Sequence, residues 1–154
     1  VAMPRFSAGT NRVVAAISTA GPAMPAPPAD NTRKLEVLYN ATCPVCDAGM
    51  KQQRRMMSPE NEADVAWSDV SCQADRLELA GLTLDQVRRH FYVRDDQGRL
   101  YRGAEAAAVL WRRTPGFRWL SALISLPVIR TIARVTYDWF ADRLYAWNRR
   151  KGRW

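Results

Sequence analysis

Two cysteines three positions apart, Cys43 and Cys46 in Cys43-Pro44-Val45-Cys46, are the residues whose type and spacing carry chemistry. They follow an apolar strand pattern, Leu35-Glu36-Val37-Leu38-Tyr39, and open a helical pattern. Two thiols one helical turn apart are near enough to bridge. At a helix start they also meet unpaired backbone N–H groups and the positive end of the dipole, which favour a thiolate. The thiolate is the reactive form in thiol–disulfide exchange. In this reading Cys43, the more N-terminal and expected to be the more exposed, attacks a substrate disulfide. Cys46 then resolves the mixed disulfide.

Other readings stay open for the same pair. Cys43 and Cys46 are also half of a zinc set, but structural zinc takes four ligands. The remaining soft ligands, Cys72 and His90, are isolated. No metal or organic cofactor is therefore expected. Cys72 reads as a small core residue rather than a second reactive thiol. His90, the only histidine, reads as an ordinary residue at a helix–strand joint, with a proton acceptor beside the thiols as its alternative. Lys51, Arg54 and Arg55 share the first helix and read as solvating it.

The surrounding elements must place these groups. Residues 1–32 are rich in Ala and Pro, and Pro22, Pro25, Pro27 and Pro28 forbid a continuous helix, so a flexible tail is expected ahead of a domain over 33–154. Arg5 and Arg12 before Val13-Val14-Ala15-Ala16-Ile17 resemble a secretion signal only faintly. Residues 35–39 predict a buried strand, Asn40-Ala41-Thr42 a turn, and Thr42 the N-cap of a helix with Pro44 in its first turn. Ser58-Pro59 stops that helix near Met57. A second strand follows over 64–68. A short helix capped by Ser71 ends at Gly81, and the capping box Thr83-Leu84-Asp85-Gln86 opens another. Residues 91–94 and 99–102 flank Asp95-Asp96-Gln97-Gly98 as a hairpin. A helix spans 104–113. The last stretch, 117–147, is helical, aromatic and interrupted by Pro127. Beyond Pro127, Ile132, Val135, Trp139 and Phe140 recur at helical spacing, and Arg134 with Asp138 forms an i,i+4 pair.

Strand–helix–strand followed by a hairpin and a helix is the order of a thioredoxin-like α/β domain, a mixed sheet covered by helices, here with a helical C-terminal extension. The chain of 154 residues suits one such domain. Three cysteines are too few for a disulfide-stapled secreted scaffold and suit a reducing, cytoplasmic setting. The net charge of +8 points to anionic partners, yet no nucleic-acid module accompanies it. Trp111, Trp119, Trp139, Phe140 and Trp147 are expected to complete the core. The alternative is that, with Arg118, Arg130 and Arg143, they rest on an anionic membrane surface.

The segment Leu38-Tyr39-Asn40-Ala41-Thr42-Cys43-Pro44-Val45-Cys46 resembles the signature of the DCC family of thiol–disulfide oxidoreductases. The similarity continues through Asp95-Asp96-Gln97-Gly98-Arg99-Leu100-Tyr101-Arg102-Gly103-Ala104, Trp111-Arg112-Arg113-Thr114-Pro115-Gly116 and the Trp- and Leu-rich tail, about residues 33–147. The resemblance implies disulfide exchange with a protein or small-molecule thiol substrate, the family's cysteines falling on Cys43 and Cys46, with Asn40, Thr42 and Pro44 supporting them. Asn40 stands where the family has Asp, and Ala41 where it has Gly. Asn40 hydrogen-bonds but holds no charge, which bears on rate and potential. Arg88-Arg89-His90 stands where thioredoxins carry a cis-proline, so substrate docking should differ. The rival function is a non-catalytic thioredoxin-like module that docks on a membrane protein or anionic surface through its basic aromatic tail.

Overall fold

The computed structural model describes residues 34–154. The expected N-terminal tail therefore lies outside the described residues. The elements run β1 (Leu35–Tyr39), α1 (Pro44–Met56), α2 (Pro59–Ala63), β2 (Val65–Asp69), α3 (Asp75–Ala80), α4 (Leu84–Arg89), β3 (Tyr92–Asp95), β4 (Leu100–Arg102), α5 (Gly103–Trp111), α6 (Arg118–Ile124) and α7 (Pro127–Arg150). Four strands form one mixed sheet in the order β2-β1-β3-β4. β1 runs parallel to β2 and antiparallel to β3, and β3–β4 is the expected hairpin. This is a thioredoxin-like α/β fold with a C-terminal helix.

The two-residue period of β1 divides the core. Leu35 and Val37 face one cluster with Met57, Val65, Val93, Ala106 and Leu110. Leu38 faces the other, with Val70, Leu77, Val87 and Tyr92. Glu36 is also buried; it carries an Arg94 hydrogen bond, accepts from the Ser68 hydroxyl at 2.9 Å and lies 3.7 Å from Arg76. A buried carboxylate is tolerated where it is paired and hydrogen-bonded.

Local signals in the sequence behave unevenly. The Thr83 capping box forms, with both reciprocal bonds. Gly81 ends α3 in the left-handed region, φ 65°. Ser71 does not cap α3; its hydroxyl donates to Asp69 at 2.8 Å, and the helix begins after Ala74 without a side-chain cap. Arg134 does not pair with Asp138, which binds Arg102 at 3.2 Å instead.

The largest departure is the C-terminal pair. α6 and α7 meet at Ser125-Leu126 with their axes turned by 97°, and no single described helix is long and apolar enough to cross a membrane. α7 packs its Ala141–Asn148 side inward. Its opposite side, Val128, Ile132, Val135 and Trp139 at successive spacings of four, three and four, is exposed. Trp119, Trp139, Phe140 and Trp147 thus do not complete the core. Only Trp111 is held inward, donating its indole N–H to Gln53 at 3.2 Å. The helix carries two apolar stripes, and sequence periodicity does not say which one packs.

Candidate functional site

The turn between β1 and α1 is tied at three points. Asn40 is buried, and its Oδ1 accepts the Thr42 N–H at 3.0 Å. The Cys43 N–H donates to the Asn40 carbonyl at 3.3 Å. From β2, Asp69 Oδ1 accepts the Ala41 N–H at 3.0 Å. Burial works to raise the Asp69 carboxyl pKa, but the Ala41 and Ser71 donors outweigh it and hold it below the usual value. Asn40 thus shapes the loop rather than supplying charge.

This turn makes Cys43, not Thr42, the N-cap of α1. Thr42 points to solvent. The Cys43 sulfur accepts the Cys46 N–H at 3.3 Å, and Pro44 follows as the first helical residue, where a missing N–H costs nothing. A second donor comes from 105 residues away: Asn148 Nδ2, on α7, lies 3.2 Å from the same sulfur. Asn148 is itself fixed by the Leu144 carbonyl at 3.0 Å and by Arg153 on its Oδ1 at 3.0 Å. Two N–H groups aimed at one sulfur form a cradle for a sulfur anion.

Cys46 contrasts with it. Burial, its hydrogen bond to the Cys43 sulfur and the charge there all push its thiol pKa up, so Cys46 keeps its proton. The pair is therefore asymmetric, one sulfur receiving two N–H donors and the other keeping its hydrogen. Both are free thiols.

Exposure runs opposite to the sequence expectation. Cys43 is 1% exposed, under the Asn148 end of α7, whereas Cys46 is half-buried and reaches a cavity. The helix that hides Cys43 lies a hundred residues downstream, so local sequence does not reveal the cover. Cys72 is also corrected: it is exposed on the loop after β2, its S–H donating to the Asp69 carbonyl at 3.4 Å. The basic residues of α1 serve other partners, Lys51 binding Asp47 at 2.7 Å and Arg54 binding Glu62 at 2.8 Å.

His90, read as an ordinary joint residue, is buried at the C-cap of α4 and lines the cavity beside Cys46. Its ring lies 5.9 Å from that of Tyr137. Burial, then Arg102, pushes its pKa below the usual 6.5, against the opposing pull of Asp138. The missed members of the site are Asp69, Tyr137 and Asn148. Asn148 alone left a trace: it is a polar residue on the Ala141, Leu144, Asn148 stripe, spaced three and four apart, that packs inward.

The model of the DCC1-like thiol-disulfide oxidoreductase family matches residues 37–150, from the middle of β1 to the end of α7. The chain belongs to this family. No curated protein and no solved structure matches it. The DCC1-like match takes in both cysteines and also Asn148, so the helix that covers the thiols lies within the matched span. Among the described residues no group of His, Cys, Asp or Glu is arranged to hold a metal ion.

Proposed function

We propose that this DCC1-like chain is an enzyme of thiol–disulfide exchange, working through a reversible Cys43–Cys46 disulfide. The observation that carries this reading is the cradle on Cys43. One cysteine sulfur receives two N–H donors while its neighbour stays protonated, the division of labour that exchange needs. The pair itself carries the electrons, without metal or organic cofactor, and a count of three cysteines suits a reducing, cytoplasmic setting. Alkylation followed by mass measurement, with and without reductant, tests it. A reversible two-hydrogen change should be confined to the peptide bearing Cys43 and Cys46. Cys43→Ser and Cys46→Ser should each abolish turnover, and Cys72→Ser should leave it intact. Absence of the mass change would leave a binding module.

A second reading concerns where the chain works. The exposed stripe Val128, Ile132, Val135 and Trp139 continues, at the same spacing, into Arg143 and Arg150. Trp119 and Leu126 extend the apolar surface around the bend. No acidic residue lies between Glu105 and Asp138, and Asp142 is engaged by Arg89 at 3.5 Å. An apolar ridge with aromatic members and basic ends matches the interface of an anionic bilayer. The reading is peripheral docking of α7 on such a surface. The full chain should sediment with phosphatidylglycerol vesicles and not with phosphatidylcholine ones, and Trp119→Ser with Trp139→Ser should release it. A dimer in solution that those substitutions dissolve would overturn this reading.

A further inference from the structure

A cavity of about 230 Å³ opens beside Cys46. Val45, Met50, Val87, Phe91, Phe140 and Leu144 make it mainly apolar. Asn40, His90 and Tyr137 add polar groups, and Arg88 and Arg89 also line it. Cys43 is not among its walls. We propose that this cavity is the substrate site, that it takes a small apolar organic thiol, and that the sulfur this thiol attacks is Cys46, with Cys43 as leaving group. The proposal rests on the exchange reading and assigns its substrate class and order of attack.

Access argues first. Cys43 is 1% exposed beneath α7, so an incoming thiol does not reach it in this arrangement. Cys46 forms part of the cavity wall. At about 230 Å³ the cavity lies below the roughly 300–1,000 Å³ of pockets for drug-sized ligands, which fits a small thiol. The chemistry of the two sulfurs points the same way. A sulfur that keeps its proton is a poor leaving group, and one whose anion is cradled is a good one. Attack on Cys46 expels the cradled sulfur, whereas attack on Cys43 expels the other.

His90 supplies the proton acceptor. It is 7% exposed, it lines the cavity, and its Nδ1 has no hydrogen-bond partner. The Asp138 carboxylate lies 3.8 Å from that nitrogen. In the oxidised protein the entering thiol gives its proton to His90, and its sulfur bonds to Cys46 Sγ. The Cys43–Cys46 bond breaks, and Cys43 leaves as a thiolate between the Cys46 and Asn148 N–H groups. A second thiol then attacks the substrate sulfur. The organic disulfide departs, and Cys46 leaves and takes up the second thiol's proton. Two thiols are oxidised to one disulfide, and the protein disulfide is reduced to the dithiol. An acceptor disulfide re-oxidises the pair.

Gly49 makes the test clean. It lines the cavity from α1, and a Cβ built there meets nothing within 4 Å, so a larger side chain enters without backbone strain. In the full chain, Gly49→Leu should slow oxidation of benzyl mercaptan about tenfold or more while the reduction potential of the pair stays unchanged. In a Cys72→Ser background, benzyl mercaptan added to the oxidised protein and quenched in acid should label Cys46 as a mixed disulfide at about ten times the amount on Cys43. Glutathione and reduced insulin chains should be slower thiols in both assays. Equal or faster labelling of Cys43, or benzyl mercaptan oxidation untouched by Gly49→Leu, would overturn the proposal while the exchange reading stands. A pair that never cycles in the unsubstituted protein would instead remove the exchange reading.

Discussion

Asn148 Nδ2 lies 3.2 Å from the sulfur of Cys43, joining the last turn of α7 to the first turn of α1 across 105 residues of chain. That single bond does two things. It offers the sulfur a second N–H, and it holds the helix that hides it.

The redox consequence is measurable. A hydrogen bond to a charged group contributes about 1.5–3 kcal/mol, and in a two-electron couple about 1.4 kcal/mol equals 30 mV. The bond stabilises the reduced form, so losing it favours the disulfide. Asn148→Ala should make the pair more reducing by roughly 30–65 mV, read from equilibration with glutathione buffers. An unchanged potential would mean that the amide only packs.

Gly103 joins β4 to α5 at φ 55°, and a Cβ there would come within 2.7 Å of the Tyr137 ring. It combines left-handed backbone with a close aromatic approach. Gly103→Ala should cost about 1–3 kcal/mol from backbone strain alone, with overpacking added. Gly98→Ala has a similar φ of 77° but open space around it, and should cost less. Urea midpoints compare the two directly, and equal costs would mean that the Tyr137 contact relaxes freely.

Glu36 is the charge that β1 buries. Glu36→Ala leaves Arg94 and Arg76, with side chains 19% and 16% exposed, facing no carboxylate. Removing one partner of a buried ion pair costs about 3–5 kcal/mol. Glu36→Gln keeps hydrogen-bonding atoms and should cost less. A loss under about 1 kcal/mol for Glu36→Ala in urea unfolding would show that water already screens the cluster.

His90 links stability to acid. Its folded pKa is depressed below 6.5, chiefly by burial and then by Arg102 and Arg89, with Asp138 and Asp142 opposing. Above pH 6.5 both states hold the neutral ring, and its contribution is complete. As pH falls below that value the unfolded chain takes up the proton first. Stability is lost until the folded ring titrates as well. His90→Gln should flatten the decline of the urea midpoint below pH 6.5, and an unaltered slope would place the acid sensitivity in the carboxylates.

Much of this was readable along the chain because its causes are local. The Thr83–Gln86 box, the left-handed Gly81, Pro44 at the helix start and the Asp95–Gly98 turn each depend on neighbours within four residues. Thr42 and Ser71 were misread for a related reason. Each has the right side chain for a cap, but α1 begins one residue later with the Cys43 sulfur as its cap, and the Ser71 hydroxyl donates to Asp69 while α3 starts after Ala74. His90 stands at the helix–strand joint the sequence predicts, buried because α7 folds back over it, whereas Cys72, expected in the core, is exposed because nothing among the described residues covers it.

The order of residues determined the strand-to-helix joint, the spacing of Cys43 and Cys46, and the family to which they belong, since each is written in contiguous chain. Which sulfur is covered, which stripe of α7 turns inward and what lies against the pair were decided only when a distant helix packed over the sheet. Burial and directed hydrogen bonds are properties of the assembled surface, and a chain read one residue at a time does not contain them.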